Sequence, residues 1–188
     1  MFLATGPHTT FSVFGSPYSP AKGLWAFGYQ EEEGDKVWDS MPLSTDIAVT
    51  HAPPKHHCDT SARGDSDGCE ALRRVLWRVR PKLAVCGHRH EGRGVERVLW
   101  NLDTSSEATT ALEEATETWV DPGEGNKKIS RVDLTMKGGK MIANADHIIG
   151  QTCVVNAAIT AASYGRPGRM RLNKPIVVDL ELPVWEEK

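Results

Sequence analysis

Three of the seven histidines stand where imidazole chemistry is plausible on residue type and spacing alone: His51, His88 and His90. His51 opens the string His51-Ala52-Pro53-Pro54, and His88 and His90 flank Arg89 in Gly87-His88-Arg89-His90. Neutral imidazole ligates Mn, Fe, Zn, Ni and Co, so such a group reads as a divalent-metal site whose metal the residues do not choose. In an extended segment residues i and i+2 point the same way, which would aim His88 and His90 at one site and turn Arg89 away. Gly87 permits a sharp exit from a preceding strand. A His-x-His pair alone is an ordinary surface loop; what raises it above that is the set of elements that brings His51 to the same place.

Those elements follow from periodicity. Asp46 to Thr50 is an apolar run of buried-strand type, and Pro53 and Pro54 forbid its continuation, so His51 sits at a strand's carboxyl tip. Residues 55 to 68 are a polar, Gly-containing loop, long enough to suggest function. From Cys69 to Arg78 the spacing of Cys69, Leu72, Val75, Leu76 and Val79 predicts a helix with one buried stripe, ended by Pro81. Leu83 to Cys86 is a second buried strand that breaks at Gly87. Strand, loop, helix, strand predicts a parallel pair, whose carboxyl ends share one sheet edge. Open α/β sheets place ligands there.

Elsewhere the pattern is plainer. Phe11 to Gly15 reads as a short strand, and Ser16 to Tyr29 as a loop whose aromatic rings either line a cleft or form a satellite cluster. Glu31 to Asp39 reads as a solvated acidic face. Residues 101 to 150 are polar and ragged, with a helix expected around Thr109 to Thr118 and a strand around Ile129 to Thr135. Thr152 to Asn156 and Pro175 to Leu182 read as strands.

Competing site readings are weaker. His56, His57, Cys58 and Cys69 match no usual zinc spacing. Asp65, Asp67 and Gly68 lack the remaining ligands of a calcium loop. Arg63-Gly64-Asp65 spells an adhesion tripeptide for which a chain expected in the cytosol or nucleus has no use. No His-Asn/Asp partner is positioned to activate a thiol, and Cys69 and Cys86 read as core.

Composition sets the frame. The 188 residues are 39% hydrophobic and 25% charged, as in one soluble globular domain. A formal net charge of -3 gives no positive field for a nucleic acid or an anionic membrane, so neither is expected as a partner. Four unevenly spaced cysteines suggest a reducing compartment, and the expected location is cytoplasmic or nuclear, with no signal peptide or transmembrane segment.

Motifs then add a family. Thr50-His51-Ala52-Pro53-Pro54, Gly68-Cys69-Glu70-Ala71-Leu72, Arg80-Pro81-Lys82-Leu83 and Gly87-His88-Arg89-His90-Glu91-Gly92 together resemble the calcineurin-like metallophosphoesterases. The likeness is nearest to the branch of the metallophosphoesterase-domain proteins and their fungal relatives. Phe14-Gly15-Ser16-Pro17-Tyr18, Trp25-Ala26-Phe27, Val155-Asn156-Ala157 and Lys174 to Leu180 extend it in order. The resemblance implies an α/β fold, a two-sheet β-sandwich flanked by helices, and two metal ions at the strand tips. It also implies hydrolysis of phosphomonoesters or phosphodiesters, cyclic nucleotides among them, with a small-molecule phosphoester as substrate. By resemblance His51 and His88 would bind one metal and His90 the other.

The family's remaining motifs, an Asp-x-His, a Gly-Asp and a Gly-Asn-His that includes the catalytic acid, belong ahead of the Phe14-Gly15 strand, where Met1 to Val13 hold none of them, and Asp46, Asp59 and Asp103 do not match them. Residues 1–188 are therefore expected to be one N-terminally truncated domain with a polar insertion at about 101–150. Weak mononuclear metal binding and little hydrolysis should follow, with self-association through an uncovered sheet. An inactive metal-binding or interaction module, or a truncated gene product, is the alternative expectation.

Overall fold

Short runs of small and β-branched residues build a sheet around four parallel strands. The structure, a computed structural model, describes residues 2–6, 9–21, 23, 25–102, 111–135, 150–161 and 171–182. In chain order the first strands are β1 (Phe2–Gly6), β2 (Thr9–Ser16), β3 (Ser19–Pro20), β4 (Gly28–Tyr29) and β5 (Ile47–Thr50), with helix α1 (Gly34–Trp38) before β5. Helix α2 (Glu70–Val79) precedes β6 (Leu83–Cys86), β7 (Gly94–Trp100) and β8 (Glu113–Thr118). The remaining described strands are β9 (Ser130–Asp133), β10 (Gln151–Asn156) and β11 (Ile176–Asp179).

Seven strands form one mixed sheet in the order β1-β2-β5-β6-β10-β7-β8. β2, β5, β6 and β10 run parallel, whereas β1 joins β2, and β7 joins both β10 and β8, in antiparallel fashion. The strand, loop, helix, strand reading is therefore borne out as the parallel neighbours β5 and β6.

The pleat sends alternate residues to two apolar layers. Ala48, Ala84, Cys86 and Val154 face a core completed by Leu72, Val75, Leu76 and Val79 of α2 and by Trp38 of α1. Ile47, Leu83, Val85, Cys153 and Val155 face the other way, against Val132, Ile176, Val178 and Leu180 around the two-stranded β9-β11 sheet. A fully buried Leu such as Leu72 contributes about 1.5–3 kcal/mol over its exposed state, so the stripe of α2 is what fixes the helix over β5 and β6. Cys69 caps α2, its sulfur accepting Leu72 N–H at 3.2 Å, and Arg80 ends it in the left-handed conformation at φ 54°. The protein is thus mixed α/β.

One element differs from expectation. The helix expected around Thr109 to Thr118 is instead strand β8 over Glu113–Thr118, while residues 109 and 110 lie outside the described residues. Glu and Ala favour helices, but Thr116 and Thr118 suit a strand, and pairing with β7 decides the conformation. The strand expected around Ile129 to Thr135 is β9, and its partner is β11. Part of the polar insertion, residues 103–110 and 136–149, lies outside the described residues. No helix among the described residues is long and apolar enough to cross a membrane.

Candidate functional site

The four parallel strands end in nearly one line, at Ser16, Thr50, Cys86 and Asn156. Hydrogen bonds continue the ladder past those ends: His51 N–H donates to Ser16 O at 3.1 Å, Gly87 N–H to His51 O at 3.1 Å, and Ala157 N–H to Cys86 O at 2.8 Å. These bonds place His51 and the turn at Gly87 side by side. The rings of His51 and His88 consequently lie 4.7 Å apart between centroids, tilted by 59°. That is the pair expected from the shared strand edge.

His90 stands differently. His88 adopts φ 64°, so residues 88 to 90 are not extended and the alternation argument that aligned His90 with His88 does not apply. Among the described residues, no three His, Cys, Asp or Glu side chains converge as a metal ion would require.

The turn bearing His88 is held from beneath. Asn156, wholly buried at the end of β10, donates from Nδ2 to Arg89 O at 2.7 Å and to Cys58 O at 2.9 Å, and its Oδ1 accepts Ala158 N–H at 3.0 Å. Arg89 pairs with the Asp67 carboxylate and donates to Asp67 O at 3.1 Å. Gly92 passes so close to the Cys58 carbonyl that no Cβ fits, which closes the turn onto the 55–68 loop.

Asp59 organises that loop, accepting His56 N–H at 2.9 Å, Gly68 N–H at 2.8 Å and Ser66 Oγ–H at 2.6 Å. Both Asp59 and Asp67 are thus occupied in loop structure. The four residues of the weaker zinc reading go to separate partners: His56 to Ser66, His57 to two carboxylates, Cys58 to Val154 O, and Cys69 to Tyr29. Burial pushes the Cys58 and Cys86 thiols well up and that of Cys153 to about 12, which leaves them unreactive.

His57 and Asn156 carry structural roles that spacing did not reveal. His57 is buried, stacks edge-on against Trp100 with centroids 5.8 Å apart, and bonds Glu96 through Nδ1 and Glu113 through Nε2, each at 3.0 Å. Glu113 in turn accepts Arg73 Nε–H at 2.7 Å. The only available signal for Asn156 was a polar residue closing a buried apolar strand. For His57 there was none, since its partners lie 39 and 56 residues away.

Beside His51 a cleft of about 470 Å3 opens, walled by Pro17, Trp25, Phe27 and Val49. It lies at the carboxyl ends of β2 and β5, the position of ligand clefts in open α/β sheets.

The fold thus sets a histidine pair at parallel strand tips, next to a cleft, in a mixed α/β protein. Comparison with known proteins makes this more particular. No family model matches the chain. Over 90 residues it is 37% identical to metallophosphoesterase domain-containing protein 1 of Homo sapiens, covering 45% of this chain and 27% of that protein. A UPF0046 protein of Caenorhabditis elegans is 41% identical over 86 residues, 44% of this chain and 22% of the relative. The probable rhamnogalacturonate lyase C of Emericella nidulans is 43% identical over 102 residues, 53% of this chain but 9% of that protein. The matched segment thus spans less than a third of each of these relatives. These relatives bear out the resemblance to the metallophosphoesterase-domain branch, a family that uses divalent metals in general.

Proposed function

We propose that residues 1–188 form one metallophosphoesterase-type domain, a reduced sandwich in which the β9-β11 sheet is the second layer, and that its histidines serve phosphoester hydrolysis. The substrate class is a small phosphomonoester or phosphodiester, cyclic nucleotides included. The observation that carries this reading is the His51–His88 pair, 4.7 Å apart at the carboxyl edge of parallel strands. The names of the relatives support it.

The donor set fits one divalent ion of the Mn, Fe, Zn, Ni or Co type held weakly by His51 and His88, with His90 two residues further along the same turn. A bound ion would supply charge neutralisation for phosphate oxygens. The same residues do not fit a dinuclear centre: the described residues bring no third ligand to the pair, and two neutral imidazoles give a dipositive ion no anionic partner. No hydrolytic step is therefore assigned to these side chains alone, and the chain is a poor hydrolase by itself. That donor set also favours a second reading, a metal-binding or interaction module without turnover.

Hydrolysis of bis-p-nitrophenyl phosphate with Mn tests the first reading. Slow turnover that disappears in His88→Ala is expected; no turnover with any of these metals would contradict it. Metal uptake without turnover would then select the second reading.

A further inference from the structure

The Ser16 to Tyr29 segment does more than fill surface. Trp25 is 74% exposed and Phe27 58%, yet both face the concave cleft beside His51 and are not scattered over the exterior. Their wall is built. Ser19 N–H donates to Phe27 O at 3.1 Å and Ala21 N–H to Tyr29 O at 2.8 Å, tying β3 to β4. Phe27 is held at φ 59°, a conformation bulky residues rarely adopt, with Tyr18 edge-on to its ring at 6.1 Å. Next to it Gly28 is hemmed in, since a Cβ there would come within 3.2 Å of Ala21 Cβ and 3.3 Å of Trp25 O.

Chemistry narrows the occupant. No Lys, Arg, Asp or Glu is among the cleft's described lining residues, and Val49 of β5 forms part of its surface while remaining 43% exposed. His51 belongs both to the cleft and to the histidine pair, so a ligand anchored at one reaches the other. Trp25 and Phe27 offer exposed aromatic faces to the cleft, and a flat ring gains stacking on them.

We propose that Trp25 and Phe27 form a specificity wall that binds the planar aromatic ring of a phosphoester whose phosphate lies at His51 and His88. This rests on the phosphoester reading above and adds the ring to it. Stacking of this kind favours an aromatic ligand by about fivefold over an aliphatic one of the same charge.

Calorimetric titration of the full chain with phenylphosphonate and with butylphosphonate, metal-free and again with Mn, tests it without depending on turnover. Phenylphosphonate should bind about fivefold more tightly in at least one of the two conditions. Trp25→Ala should abolish the preference, and so should Phe27→Gly, which suits the backbone at φ 59°. His51→Ala should weaken both ligands alike. Equal affinities, no measurable binding of either ligand, or a preference that survives Trp25→Ala would overturn the proposal. Absent hydrolysis with the ring preference intact would overturn the hydrolase reading alone.

Discussion

His57 is gripped at both ring nitrogens by carboxylates, and this sets its charge. Glu96 and Glu113 each accept one hydrogen bond from the ring when they are ionised, so the ring must carry two protons. With Arg73 on Glu113, two positive groups face two negative ones, and Glu70 completes the rim through Arg73 at 3.0 Å. Burial by itself would lower the proton affinity of His57, but the bonds to Glu96 and Glu113 outweigh it and raise the value above 6.5. Burial likewise opposes ionisation of Glu113, yet Arg73 and His57 hold its carboxyl down to about 2.

The two groups act on stability in opposite directions. Folded His57 keeps its proton more tightly than unfolded His57, so its contribution is complete below pH 6.5 and fades as pH climbs through the raised native value. Glu113 contributes above its ordinary 4.5, and that share is lost as pH falls toward about 2. Thermal denaturation should therefore show greatest stability between these limits, with an alkaline decline that His57→Gln flattens. That variant should also lose about 3 kcal/mol, as expected when one partner of a buried charge pair is removed. An unchanged alkaline slope in His57→Gln would show that the imidazolium is not the group responsible. None of this was legible in the sequence, because nothing local marks which of three neighbouring loop residues, His56, His57 or Cys58, meets charges from β7 and β8.

At the scale of elements, legibility follows how local the cause is. The α2 stripe, the β5 and β6 runs and the proline stop after His51 are set by residues within a turn or two, and they stand where periodicity put them. β8 depends on a partner strand, so its Glu-rich composition misled. The 87–90 turn is intermediate: Gly87 announced a break, but the left-handed His88 and its support by Asn156 arise from contacts with β10, 67 residues away from Arg89. Asn156→Ala removes both Nδ2 bonds; Arg89 O keeps its bond from Gly92 N–H at 3.2 Å, but the buried Cys58 O loses its partner, at a cost of about 1–3 kcal/mol. Because Asn156 holds the turn through Arg89 O, metal affinity at the proposed histidine site should fall roughly tenfold, in the range for outer-shell partners. Denaturant titration and metal binding on the same variant check both halves; full affinity alongside reduced stability would separate the turn from the site.

For the whole molecule, the parallel edge that gathers His51 and His88 was readable from strand, loop, helix, strand, since that connection leaves two carboxyl tips together. The sheet order was not readable. β10 inserts between β6 and β7 from a distant part of the chain, and β9 pairs with β11 in a separate small sheet, both decided by which apolar faces remained to be covered. The resemblance to metallophosphoesterases fits this frame at the strand tips, where the described residues bring two imidazoles together. The proposed weak metal site rests on these two rings. Calorimetric titration with Ni or Zn at pH 7.5 tests it most directly. One equivalent bound by the parent chain, and loss of that uptake in both His51→Ala and His88→Ala, is the predicted result; no uptake, or uptake unchanged in either variant, would contradict it.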